Sequence, residues 1–529
     1  MRRAAAAACA GALALLAGCG GGSSAPPAPK RALAGGARVD LARVAGVRIA
    51  GAQAGDAIGG ALAAAGDVNG DGLGDLVVGA AGASGAALAA GTAYVILGRR
   101  GAADVDLAHL GDAGFRIEGA ATGDRAGESV DGAGDVNGDG LDDVIVGSST
   151  VDARGPNTDS GAAYVVFGSR SRDDVRLARL RTRGFEIAGA RDDDHAGQAV
   201  GGAGDVDGDG RDDLIVGSPD ALAGKGAADV VFGAAASAAV GRARSAGSRS
   251  GSPTRVDLAR PGSLARRLEG EIAGGEAFRD DAGNAVASAG DVDHDGFGDV
   301  LVGALVHNAR GRSEAGAAYL VRGPLRSGPP LNLGRLGERG FEIDGARAGD
   351  NAGFAVAGLG DVDGDRGGDV GTTAPSGLPA SGGHAYAVFT GRGGARPGAG
   401  VDLRRLDKGG IAVEAPAPKV RLATIAGPGD VDRDGHADIL VGMPLLGAGE
   451  SGGAYLVLGG VGGTIELARR SSRAIPLLGA ERGDQAGTAV AGPGDVNGDH
   501  RPDLAVGAAG ADPHGRVSAG SVWVIEGTP

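Results

Sequence analysis

At 529 residues the chain is longer than one ordinary globular core, so it divides into several domains or one array of repeats. Aromatic residues are only 3% of it, and 108 glycines recur about every fifth position, which excludes helix bundles because glycine is a poor helix former. The formal charge of −15 is concentrated in a few short acidic loops, where a cation would sit, and nothing in it suggests nucleic-acid binding.

Residues 1–18, MRRAAAAACAGALALLAG, join Arg2 and Arg3 to an apolar run of signal-peptide length. Leu16-Ala17-Gly18-Cys19 follows and resembles the bacterial lipobox. That resemblance implies cleavage before Cys19, a lipid on its sulfur, and an exported chain anchored to the bacterial cell envelope. The plainer alternative is an ordinary secretory signal with an incidental cysteine. Cys9 would leave with the signal, so the mature chain has one cysteine and no intrachain disulfide. An exported fold without disulfides needs another brace, and bound metal is the candidate. Residues 19–38 are rich in Gly, Ser, Pro and Ala and read as a tether. The basic residues are 47 Arg and 4 Lys, a bias associated with GC-rich bacterial genomes.

From residue 39 to 529 the chain is periodic. The stretch GDVNGDGLGDLVVG, at 66–79, recurs six more times, its first aspartates being Asp67, Asp135, Asp205, Asp291, Asp361, Asp430 and Asp495. Such a period specifies a repeat architecture. Each unit has four apolar runs: VDLxxL with GFxIxGA, a small-residue run before the loop, a β-branched run after it, and GAxYVxxG. These runs are short and bounded by glycine, so they are predicted to be strands, with the acidic loop joining two as a hairpin. All five tyrosines fall in the GAxYVxxG run, and the one tryptophan, Trp523, takes that place in the seventh unit. One large ring per unit is a packing signature. The third unit has Asp229 instead, so its packing there should differ.

Four strands repeated seven times predict an all-β, seven-bladed β-propeller. The chain begins with an unpartnered first run at Val39 to Ala52 and ends with an unpartnered fourth run at Gly520 to Gly527. The N-terminal strand is therefore expected to close the last blade. Two departures stand out. Residues 234–254 form a basic, low-complexity insertion, and EAPAPKVRL at 414–422 replaces the GAxxGDxAG turn of the other units.

These units resemble FG-GAP repeats, the blades of the integrin alpha-subunit head and of many bacterial surface proteins. In that family the loops bind calcium. The residues agree, since Ca²⁺ takes six to eight oxygen ligands and a tight Asp-rich loop offers them alternately. The expected ligands, at positions one, three, five, seven (a backbone carbonyl) and nine, are Asp67, Asn69, Asp71, Leu73 and Asp75 in loop one. Loop two offers Asp135, Asn137, Asp139, Leu141 and Asp143, and loop three Asp205, Asp207, Asp209, Arg211 and Asp213. Loop four offers Asp291, Asp293, Asp295, Phe297 and Asp299, and loop five Asp361, Asp363, Asp365, Gly367 and Asp369. Loop six offers Asp430, Asp432, Asp434, His436 and Asp438, and loop seven Asp495, Asn497, Asp499, Arg501 and Asp503. Glycine at position six permits the sharp turn, whereas Arg366 and His500 stand there in loops five and seven. Up to seven Ca²⁺ ions are expected, bound more weakly at those two loops. A metal-free Asx turn is the alternative.

No GxSxG, HExxH or P-loop motif occurs, so catalysis has little support in the sequence. Arg482-Gly483-Asp484 matches a tripeptide that integrins recognise, but Gly-Asp recurs in the framework at 55–56, 123–124 and 349–350. The expected function is a surface-exposed binding or adhesion module with an extracellular protein or glycan ligand, reaching the membrane only through its lipid. An enzyme acting on surface polysaccharide and a purely structural envelope lipoprotein are the rivals. The loops opposite the metal loops vary most and are the expected ligand face, as in integrins.

Overall fold

The computed structural model describes residues 38–44, 46–84, 87–101, 103–155, 158–238, 255–271, 279–375, 382–391, 394–447 and 449–527. The signal segment, Cys19, nearly all of the tether and residues 239–254 of the insertion lie outside them.

The periodic runs form seven sheets, the blades of a β-propeller. In the first blade Ala61–Gly66, Asp75–Ala80, Thr92–Ile96 and Gly114–Glu118 pair antiparallel from the axis outwards. The second strand of each blade is wholly buried, in keeping with its unbroken β-branched run. The innermost strands pack against one another around the ring, and Ala486–Gly494 of the seventh blade returns to Ala61–Gly66 of the first. Small residues make that crowding possible. A Cβ on Gly132 would sit 2.7 Å from the Ala64 carbonyl oxygen of the neighbouring inner strand.

Closure follows the expectation. Gly46–Ala50 completes the seventh blade antiparallel to Ser521–Ile525, with Ile49 opposite Val522. The structure adds a strand that sequence reading missed. Each sheet has five strands, not four, because the VDL segment separates from the GFxIxG segment that follows it. Val105–Asp106 pairs parallel with the outer strand of blade seven, while Gly114–Glu118 belongs to blade one. Val175–Arg176 clasps blade one in the same way, and Val39–Asp40 clasps blade six. The physical cause is the LxxL between the two segments. Leu107 and Leu177 open short 3₁₀ turns and are fully buried, so each crossing is pinned by its own apolar anchor.

Blade cores lie between neighbouring sheets. Val77, Val95 and Ile117 of blade one pack in one cluster with Val144, Val146 and Tyr164 of blade two. The ring position behaves as expected, with Tyr164 and Trp523 buried between sheets. Blade three differs. Asp229 is fully buried and faces Arg267 across the strand pair, where it accepts from Nε at 2.9 Å and Nη2 at 2.7 Å. Removing one partner strands a buried charge. Asp229→Asn is therefore expected to cost about 3–5 kcal/mol in urea denaturation, and the Asp229→Asn/Arg267→Met double change less than the sum of its parts.

Candidate metal centres

Strand direction places every acidic loop on one face, together with the connections from third to fourth strands. The loops are built by backbone capping. In all seven, one oxygen of the first aspartate accepts from the backbone N–H of position six, at 2.7–3.0 Å. Position seven donates its N–H to the fifth-position aspartate at 2.8–3.1 Å, again in every loop. These are the bonds of an Asx turn, and they leave further carboxylate lone pairs directed inward.

Position six has positive φ throughout, including Arg366 at 80° and His500 at 65°. Position four has it too, which sequence reading missed. Glycine stands there in five loops, but His294 has φ 60° in loop four and Arg433 has φ 63° in loop six. The backbone thus carries one non-glycine residue in the left-handed region in each of loops four to seven. The strain that set loops five and seven apart is shared by loops four and six, so it does not by itself make that pair the weaker. The signal was present in the recurrent glycine at position four. That glycine has a second cause in packing. A Cβ at Gly138 would lie 2.9 Å from Nε of Arg211, and one at Gly364 would lie 2.6 Å from Cε1 of His436. The seventh residue of one loop thus covers the fourth of the preceding loop. Loop five has Gly367 at that place, which leaves room for His294.

The ninth-position aspartates hold the centres together. Asp75, Asp143, Asp213, Asp299, Asp369, Asp438 and Asp503 are each 0% exposed. One oxygen accepts from the second residue after the third strand, such as Gly98 at 2.7 Å or Gly233 at 2.8 Å. In six loops the other accepts from the second loop residue, such as Val68 at 2.9 Å. Among the described residues, Asp143 Oδ2 is buried without a hydrogen-bond donor. Burial, with nearby loop carboxylates adding to it, pushes Asp75, Asp213, Asp369, Asp438 and Asp503 up to about 7, Asp299 to about 6 and Asp143 to about 8.

Carboxylates of Asp205, Asp207 and Asp213 offer oxygens within 4.8 Å of one another, as do Asp291, Asp293 and Asp295. Asp361, Asp363 and Asp365 do the same, as do Asp430, Asp432 and Asp438. Two oxygens bound to one Ca²⁺ at about 2.3–2.6 Å stand at most about 5 Å apart, so these sets fit a hard cation. In loops one, two and seven asparagine replaces the aspartate of position three. The Asn137 amide donates to Asp143 at 3.4 Å, and that of Asn497 to Asp503 at 3.5 Å. The loops are also stitched in series. Position eight of one donates to the first-position carbonyl of the preceding loop, as in Gly298 to Asp205 at 2.8 Å and Ala437 to Asp361 at 2.7 Å.

Elsewhere, the aspartate of the RGD tripeptide is turned inward, whereas Arg482 and Gly483 are exposed. Asp484 is 6% exposed and caps its own turn by accepting from Glu481 N–H at 2.9 Å. Val420 takes the corresponding buried place in the sixth unit, whose turn chemistry is lost as expected. His307 is buried between Asp280 Oδ1 at 2.6 Å and Glu342 Oε1 at 3.1 Å. Burial alone would lower its affinity for a proton, but those two carboxylates outweigh it and hold the imidazole at about 10. The group is a buried ion pair, and a protonated imidazole cannot act as a general base.

Five segments of the chain match the FG-GAP repeat family model, at residues 59–96, 126–166, 196–238, 282–321 and 486–525. They are blades one, two, three, four and seven. Integrin alpha pat-2 of Caenorhabditis briggsae is 36% identical over 85 residues, which cover 16% of this chain and 7% of that protein's length. A crystal structure of BBS1N in complex with ARL6DN, soaked with lead, covers 87% of this chain and is itself covered over 89%, at 9% identity and TM-score 0.37. A likeness that distant carries no argument.

Proposed function

We propose that this FG-GAP repeat propeller is a calcium-stabilised, surface-exposed binding or adhesion module, exported and anchored through a lipid on Cys19. Calcium supplies the charge that neutralises the clustered carboxylates. The residues that would hold it are those at positions one, three, five and nine, with the seventh-position carbonyl. Their role in binding is to stiffen the hairpin at each blade and leave the opposite face to present variable loops.

The observation that carries the binding reading is where apolar side chains are exposed. Leu88, Leu445 and Val517 lie in second-to-third strand loops of blades one, six and seven, which are consecutive around the ring. Phe354 lies in the connection leading into the inner strand of blade five, on the same face. Of the large apolar residues exposed among the described residues, Val461 alone lies elsewhere. Apolar residues gathered on loops of a rigid scaffold are the usual marks of a recognition surface.

The test is capture of calcium-saturated protein on panels of immobilised extracellular proteins and glycans. Leu88→Asp/Val517→Asp is expected to lose at least tenfold in affinity for whatever is bound while melting as the parent does. Unchanged capture by that variant would remove this face from the function.

A further inference from the structure

We propose that Arg322 is a resident counter-ion of the fourth loop, competing with a divalent cation there and making that loop weaker for metal than loops one, two, three, six and seven. This rests on the reading that the loops hold calcium.

Blade four breaks the repeat at one position. The residue that follows the third strand donates its backbone N–H to the carbonyl just before the fourth. Leu97 does so to Ala113 at 2.8 Å, Phe167 to Arg183 at 2.7 Å, Phe232 to Leu264 at 2.9 Å, Phe389 to Gly409 at 2.9 Å and Leu458 to Arg473 at 2.9 Å. Arg322 makes the same bond to Arg339 at 2.7 Å. Five blades therefore carry an apolar side chain where blade four carries a guanidinium. Its backbone is held beside the metal loop, because the next residue, Gly323, donates to Asp299 at 2.8 Å.

From there the side chain reaches into the loop. Arg322 Nη2 forms an ion pair with Asp293 Oδ2, the third-position oxygen, and the two side chains are only 25% and 21% exposed. Asp293 belongs to the same oxygen cluster as Asp291 and Asp295. A cation entering that cluster must share the Asp293 carboxylate with Arg322 or displace the guanidinium, and in the first case it sits beside a fixed positive charge. Among the described residues, no lysine or arginine pairs in this way with the carboxylates of loops one, two, three, six or seven. Arg322 also has somewhere to go. A cleft of about 880 Å³ between loops four and five is lined by Asp293, His294, Arg322, Arg366 and Gly367. Displacement is thus sterically open, and its cost is electrostatic.

The test is calcium titration of the full chain by equilibrium dialysis, with isothermal titration alongside. Arg322→Phe restores the residue type of blades two, three and five, and Arg322→Leu that of blades one and six, so at least one is expected to fold. Either is expected to add one bound ion at calcium levels where the parent binds one fewer, through a gain of at least tenfold at a single site. In an Asp293→Asn/Asp295→Asn background the same change is expected to add none. A parent chain that binds no calcium overturns both the calcium reading and this proposal. A parent that binds calcium with the same stoichiometry and affinity as both arginine variants overturns the proposal and leaves the calcium reading standing.

Discussion

Calcium is expected to raise the melting temperature by on the order of 10 °C over the chelated chain, and by more at pH 8 than at pH 5.5. Each filled site adds about 2.7 kcal/mol when calcium is at a hundred times its dissociation constant, and there are several sites. A chain of this length has an unfolding entropy of roughly 1 kcal/mol per kelvin, so the sum converts to a shift of that order. The pH dependence comes from the ninth-position aspartates. Their folded values of about 6 to 8 lie above the ordinary 3.8, so without metal the folded chain binds more protons than the unfolded one between about pH 4 and 8. Stability of the metal-free chain therefore falls as pH rises through that window and levels off above it. Calcium replaces those protons, so its contribution grows over the same window. Scanning calorimetry at both pH values, with calcium and with chelator, reads the effect. A gap of zero would overturn the calcium reading, and a gap independent of pH would overturn the role given to the buried aspartates.

A chain beginning at Gly51 is expected to lose cooperative unfolding altogether, whereas one beginning at Arg38 melts like the full chain. The segment removed in the first case supplies the fourth strand of blade seven and the parallel clasp of blade six. Val39, Leu41, Val44, Ile49 and Ala50 are all buried. At about 1.5–3 kcal/mol for each large apolar side chain, their burial is comparable to the whole stability of an ordinary domain, about 5–15 kcal/mol. The cut also bares the edge of Ser521–Ile525, a template for pairing with another chain. Urea titration followed by circular dichroism tests this. A sharp transition in the chain that begins at Gly51 would show that six complete blades suffice.

The fold was readable because a repeat prints its own alignment. Seven copies of one loop, with a small-residue run before it and a β-branched run after it, specify hairpins through local chemistry alone. Unpartnered runs at the two ends of the periodic region pointed to closure, and the pairing of Ile49 with Val522 agrees. The fifth strand was not readable. Val105 and Phe115 stand in one apolar stretch, and nothing local says that they belong to sheets on either side of a gap. Asp229 was visible as an anomaly, but its partner Arg267 lies 38 residues away and looks like any other arginine.

Spacing in the sequence by itself pointed to the candidate oxygens of each loop, and the structure brings three carboxylates together in loops three to six. The sequence also showed that glycine is favoured at position six, whereas the φ values were needed to show the same demand at position four. Tertiary structure decided what those oxygens meet. Burial of the ninth aspartate depends on the second residue after the third strand, some 20 residues on, which closes over it. The reach of Arg322 into loop four depends on the same connection. Contacts between segments far apart in the chain arise from how the strands are stacked. Charge at a site is set by those contacts as much as by the loop itself.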